Sequence, residues 1–177
     1  MKDYYLGKNS GKFNTNFMKT PILDLDSWKN IHAKTIVPCH DIYIEFKLNN
    51  KKGLLMVKRK QAPAKGTLWP IGGKILRGVP TEESLRLKVK EECNLDIHDI
   101  KFLGASRIFL DEEPLGHKKG YDALSLVFYA KGSGNLKLNE LHHNPEIITK
   151  AKYKSFKETI HPYLREFMDK AIKLTDF

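Results

Sequence analysis

The 177-residue sequence holds only two cysteines, Cys39 and Cys93. They are far apart and have no paired metal-ligand spacing, which excludes a disulfide framework and a zinc knuckle and fits a reducing compartment. Long apolar runs are missing as well: a typical one, Leu124 to Ala130, is interrupted by Ser125 and is too short to cross a bilayer. The opening "MKDYYLGKNSGKFNTNF" lacks the apolar block of a secretion signal. A soluble, intracellular, cytoplasmic protein without a membrane partner is expected. The net charge is +10, yet no block of five or six basic residues marks a nucleic-acid arm. Spread in this way, the lysines favour phosphate-bearing small partners, and a solvated Lys-rich surface accounts for the same charge. No internal repeat is present.

The length and the 41% hydrophobic content are enough for one good core, so a single domain with extensions is expected. Residues 1–20 are polar and without a sustained period, which predicts a flexible lead-in to a domain spanning 21–177. Asp26 and Ser27 can cap a short helix through His32. The strand after it alternates Ile42, Ile44 and Phe46 with Asp41, Tyr43 and Glu45, and "LNNKKG" turns it into a second strand, "LLMVKRK". A loop dense in Pro and Gly then leads to a helix over 81–93, with Thr81 as N-cap, Glu82 and Glu83 in the first turn, and Asn94 at a left-handed C-terminal position. Leu85, Val89 and Cys93 give the face that packs on a sheet. Two more strands complete a core of about 36–150, and a last helix over about 162–174 follows it, with Leu164, Phe167, Met168, Ala171 and Ile172 as its stripe. Helices at both ends of a strand-rich middle predict an α/β fold with a mixed sheet between helical layers.

Chemistry concentrates in "LWPIGGKILRGVPTEESLRLKVKEECNLDI", residues 68–97. Two adjacent glycines permit close backbone approach, and Lys88, Glu91 and Glu92 share one helix face by their spacing of three and four. The stretch resembles the Nudix hydrolase box, which reads G, five residues, E, seven residues, R-E-hydrophobic-x-E-E-x-G-hydrophobic. Gly73 opens the box, Val89 and Leu95 hold its hydrophobic positions, and Glu91 and Glu92 are its paired acids. Val79, Leu87, Lys88 and Asn94 stand where the box has Glu, Arg, Glu and Gly. Val79 and Leu87 replace two residues that commonly form an ion pair in the family, an exchange that hydrophobic contacts can absorb. Lys88 removes a metal ligand, because an ammonium has no lone pair and repels a cation.

Outside the box, residues 22–150 are similar to the GDP-mannose mannosyl hydrolase branch of the family, which uses one metal. "KRKQAPAKGTLWPIGGK", "LDSWKNIHAKTIVPCHDIYIEF" and "LNELHHNPE" carry the likeness. The resemblance implies a Nudix fold, an α/β/α sandwich around a mixed β-sheet. It implies one Mg²⁺ or Mn²⁺ ion held by the Gly73 carbonyl, Glu92 and His142, with Glu91 as a further acid that could exchange roles with Glu92. His143 falls at the general-base position and Asp41 at that of a substrate-contacting Asp. Arg59 and Lys74 can clamp a diphosphate, Arg bidentately and Lys as a point charge. Trp69 and Tyr121 could stack on a base or sugar or belong to the core, and Arg107 and Asp111 flank a loop that would cover the site.

The function implied is hydrolysis of a nucleotide-diphosphate sugar, with water activated by His143 attacking the anomeric carbon while the metal and Arg59 stabilise the departing nucleoside diphosphate. Two alternatives stay open. One is a Nudix pyrophosphatase attacking phosphorus; the other is a Nudix-like nucleotide- or RNA-binding module that has lost turnover, which Val79, Leu87 and Lys88 would suit. A homodimer is a further expectation from the branch.

Overall fold

The computed structural model describes residues 1–4, 18 and 23–177. Most of the lead-in expected over 1–20, and the boundary at Pro21, lie outside the described residues. Among the described residues the elements are α1 (Leu25–His32), β1 (Val37–Leu48), β2 (Lys51–Arg59), β3 (Leu68–Trp69), β4 (Ile71–Lys74), α2 (Thr81–Cys93), β5 (Asp96–Leu110), β6 (Tyr121–Ser133), β7 (His142–Ile148), α3 (Lys150–Phe156) and α4 (Pro162–Ile172). The strands form one sheet in the order β3-β2-β1-β6-β5, with β4 paired to β1 and β7 to β2. β1 and β6 run parallel and every other pair is antiparallel, so the sheet is mixed.

β1 was expected to alternate between a buried and a solvated face, and instead both its faces are covered. Ile42, Ile44 and Phe46 pack with Leu85, Val89 and Cys93 of α2. Tyr43 packs on the opposite side with Leu164 and Phe167 of α4 and Tyr153 of α3. The polar positions of β1 are buried with partners, as a central strand demands: Glu45 accepts from the Tyr129 hydroxyl at 2.6 Å and pairs with Lys52 at 2.7 Å. Layers of helix, sheet and helix give the α/β/α sandwich.

Several local expectations shift. The β1–β2 turn is the two residues Asn49 and Asn50, with φ of 48° and 61°, and Lys51 to Gly53 already belong to β2. Asp24 caps α1, accepting from the Ser27 N–H at 2.8 Å, in place of Asp26 or Ser27. Thr81 opens α2 as its first residue, and its N–H and hydroxyl donate to the Asp3 carboxylate at 2.9 and 2.6 Å. That carboxylate sits at the positive end of the helix dipole. Asn94 ends α2 in the left-handed conformation, as its position suggested. "HHNPEII" forms strand β7 and Thr149 caps α3, two elements that the sequence pattern did not announce.

The Gly-rich loop contributes β3 and β4. β4 pairs with β1 so that Asp41 faces Gly72 and His40 faces Gly73. A Cβ at Gly72 would lie 2.3 Å from the His40 carbonyl oxygen and 2.7 Å from Asp41 Oδ1, so only glycine allows this approach.

Two substitutions test this packing by urea unfolding. Phe167→Ala, at a side chain with no exposed surface, should cost roughly 3–5 kcal/mol. Gly72→Ala should cost about 1–3 kcal/mol by forcing β4 away from β1.

Candidate active site

The last turn of α2 separates its two acids. Glu91 faces solvent and binds Lys88 Nζ at 2.7 Å, whereas Glu92 is 4% exposed. Glu92 Oε2 accepts from the Gly72 N–H at 3.4 Å and lies 3.0 Å from His142 Nε2. The β2–β7 register, Arg59 opposite His142, carries that imidazole in from the far side. His142 Nδ1 is buried and has no partner. Lys88 Nζ stands 3.8 Å from Glu92 Oε1, and its side chain lies against Gly73, where a Cβ would come within 3.5 Å of it.

The opposite wall is organised by Asp41. Its carboxylate accepts from the Ser125 hydroxyl at 2.7 Å, from Trp69 Nε1 at 3.4 Å and from the Tyr163 hydroxyl of α4. Burial, reinforced by the Asp41 charge, holds the Tyr163 phenol far above its ordinary pKa, so it remains a donor. Trp69 stacks on Tyr163 with ring centroids 5.7 Å apart. Cys39 meets the Tyr121 hydroxyl at 3.1 Å, and burial pushes its thiol up to about 11, so it stays protonated at neutral pH.

These walls enclose a pocket of about 420 Å³ whose lining includes Asp41, Arg59, Gly73, Lys74, Glu92 and His142. Trp69 and Tyr121 line it too, and Lys88 joins the cations. Arg59 Nε is buried without a partner. Lys74 Nζ sits 3.8 Å over the Trp28 ring, and burial followed by the Lys88 charge holds its pKa below the ordinary value. Glu91 and His143 are not among the lining residues. Successive strand residues point to opposite faces, so His143 follows His142 on the side turned away. Arg107 makes a two-pronged exposed pair with Asp122 at 2.9 and 2.8 Å and, like Asp111, does not line the pocket. Trp28, His32, Ser125 and Tyr163 escaped the sequence reading, because each reaches the site across a long sequence separation and none belongs to the Gly73–Glu92 segment. Among the described residues, His32, Glu113 and His117 form a further group able to hold a metal ion.

No protein-family model matches the sequence, and no curated protein matches it. Solved structures do. The MutT protein from Methanosarcina mazei Go1 superposes with a TM-score of 0.59 at 18% identity, over 81% of this chain and 98% of that one. The NUDIX domain of Shewanella oneidensis NrtR, solved with ADP ribose, gives 0.58 at 11% identity over 86% and 98%. A C. elegans Ap4A hydrolase gives 0.51 at 17% identity over 76% and 94%. The mixed sheet between helical layers, with an acid-bearing helix after a glycine-rich strand, is therefore the Nudix fold.

Proposed function

We propose that the chain is a hydrolase of nucleoside-diphosphate derivatives that cleaves at phosphorus. The observation that carries this reading is the convergence of Arg59, Lys74 and Lys88 with the Glu92–His142 pair on one pocket. Three fixed cations suit the charge of a diphosphate, Arg59 by its planar fork and the lysines as point charges. Trp69, Trp28 and Tyr121 offer aromatic surface for the rest of a nucleotide. The ADP ribose and Ap4A named with two of the similar structures are compounds of this class.

A divalent ion fits the donors present. Glu92 Oε2 and His142 Nε2 are 3.0 Å apart, about the separation of neighbouring ligands on an ion with bonds near 2.1 Å. The Gly73 backbone adjoins them, since a Cβ there would lie 3.7 Å from Glu92 Oε1. Glu92, His142 and the Gly73 carbonyl would hold one Mg²⁺ or, given the imidazole, Mn²⁺. Such an ion supplies Lewis-acid neutralisation of the diphosphate charge. Lys88 leaves no room in the charge balance for a second, and Glu91 stays outside as its partner. Arg59 and Lys74 orient the phosphates, and Asp41, fixed by its three donors, presents its remaining lone pairs to a ligand hydroxyl or amine.

Attack at the anomeric carbon of a nucleotide-diphosphate sugar is the second reading, and it depends on a positioned base. His143 was assigned that task and does not line the pocket. Phosphoryl transfer relies chiefly on positioning and electrostatic stabilisation, which this pocket supplies.

Phosphorus NMR of the purified chain with Mg²⁺ or Mn²⁺ and ADP ribose, Ap4A or GDP-mannose tests the reading. Nucleoside monophosphate and the complementary phosphorylated fragment are expected from at least one compound. Free sugar with nucleoside diphosphate would transfer the reading to glycosyl cleavage, and binding without products would reduce it to a binding module. Glu92→Gln should lower turnover by roughly 100-fold. Chelation should abolish turnover, with recovery on adding Mn²⁺.

A further inference from the structure

We infer that His32, Glu113 and His117 form a binding site for a transition-metal ion of the zinc class, separate from Glu92 and His142. His32 is the last residue of α1, and Glu113 and His117 belong to the loop between β5 and β6, some eighty positions further along the chain. Their three ligand atoms lie within 4.8 Å of one another. His32 Nδ1 is 2.7 Å from His117 Nε2, which is 3.4 Å from Glu113 Oε2. The site is enclosed: His32 and the side chains of Glu113 and His117 are each 5% exposed.

The donor set selects the metal. Two imidazoles and one carboxylate suit Zn²⁺, Co²⁺ or Ni²⁺, whereas Mg²⁺ and Ca²⁺ prefer oxygen alone. The surroundings hold the donors in place. Glu113 accepts from the Leu115 N–H at 2.6 Å and the Lys118 N–H at 2.9 Å, so its carboxylate is oriented from behind. The His32 ring is packed by Trp28 and Tyr121, with centroids 5.6 and 4.8 Å away.

The protons within the cluster are too few for its acceptors. His117 Nδ1 accepts from the Lys119 N–H at 3.1 Å, so in the neutral ring Nε2 carries the proton. That single proton faces two acceptors, His32 Nδ1 and Glu113 Oε2. His32 Nε2 must then carry its own proton, buried and unpartnered. Three potential ligand atoms thus surround a place that one proton serves: His32 Nδ1 and Glu113 Oε2 present lone pairs, and His117 Nε2 presents one when its proton shifts. A metal ion would engage all three at once. On binding, the His117 proton moves to Nδ1, and the Lys119 contact, an exposed bond across two residues, is released. The ion would fasten the 111–120 loop to α1 at a wall of the pocket, since His32, Pro114, Leu115 and Tyr121 line it. This inference does not depend on the hydrolase reading.

The test uses the full chain after chelator treatment and exchange into metal-free buffer. Zn²⁺ is titrated calorimetrically, and Co²⁺ is followed by its visible absorption. Wild type and Glu92→Gln should both bind Zn²⁺ and develop Co²⁺ bands, with excess Mg²⁺ failing to compete. Placed in the Glu92→Gln chain, His117→Asn and Glu113→Gln should weaken that binding at least tenfold while keeping the circular dichroism. Zn²⁺ should raise the Tm of Glu92→Gln, and adding His117→Asn should abolish that rise. Absence of Zn²⁺ binding by wild type, undiminished binding in both loop variants, or loss of binding in Glu92→Gln would each overturn the inference.

Discussion

The site depends on one missing atom, the Cβ of residue 72. Because Gly72 can press against the His40 carbonyl, β4 lies close on β1 and brings two things to one place. Asp41 is held beside the glycine on the β1 side, and the Gly72 N–H reaches Glu92 on the helix side. Any side chain there would separate the carboxylate of the strand from that of the helix. The buried bonds to Tyr163, Ser125 and His142 would then lose the geometry that satisfies them. The close approach of backbone to backbone thus decides whether two remote halves of the chain share a pocket.

Lys88 gives that pocket its electrostatic character. An acid at this turn of α2 would add negative charge beside Glu92; the ammonium does the reverse, bridging outward to Glu91 and inward toward Glu92. The helix end therefore presents little net negative charge, while Arg59 and Lys74 add positive charge on adjoining elements. A diphosphate entering such a pocket would meet charge that is covalently fixed and needs no ion to be recruited. In the proposed reading, the neutralisation that several ions could share falls to one ion and three side chains.

Much of this was legible in the sequence where local chemistry decides. The 81–93 helix, its left-handed Asn94 end, its apolar Leu85–Val89–Cys93 face and the glycine pair follow from periodicity and backbone preference, and their spacing to Glu92 suggested the site. The β7 strand was not legible, because "HHNPEII" has neither alternation nor a strong β composition and becomes a strand by pairing with β2. The same pairing separates His142 from His143, which adjacent positions in a loop would not. The start of α2 was equally hidden, since the N-cap position is Pro80, and the carboxylate that accepts from Thr81 belongs to Asp3, far along the chain. Tyr163 looked like part of an amphipathic helix start, and only the tertiary fold shows its hydroxyl turned to Asp41.

That hydroxyl has a thermodynamic consequence. Tyr163 belongs to α4, and its bond to Asp41 makes the docking of that helix and the order of the pocket wall parts of one equilibrium. A ligand that engages Asp41 draws its binding energy from the docked form, and so suppresses fraying of α4 by the same free energy that docking contributes to affinity. Amide exchange along a helix that need not touch the ligand would then act as a gauge of occupancy, with α4 reporting on the pocket.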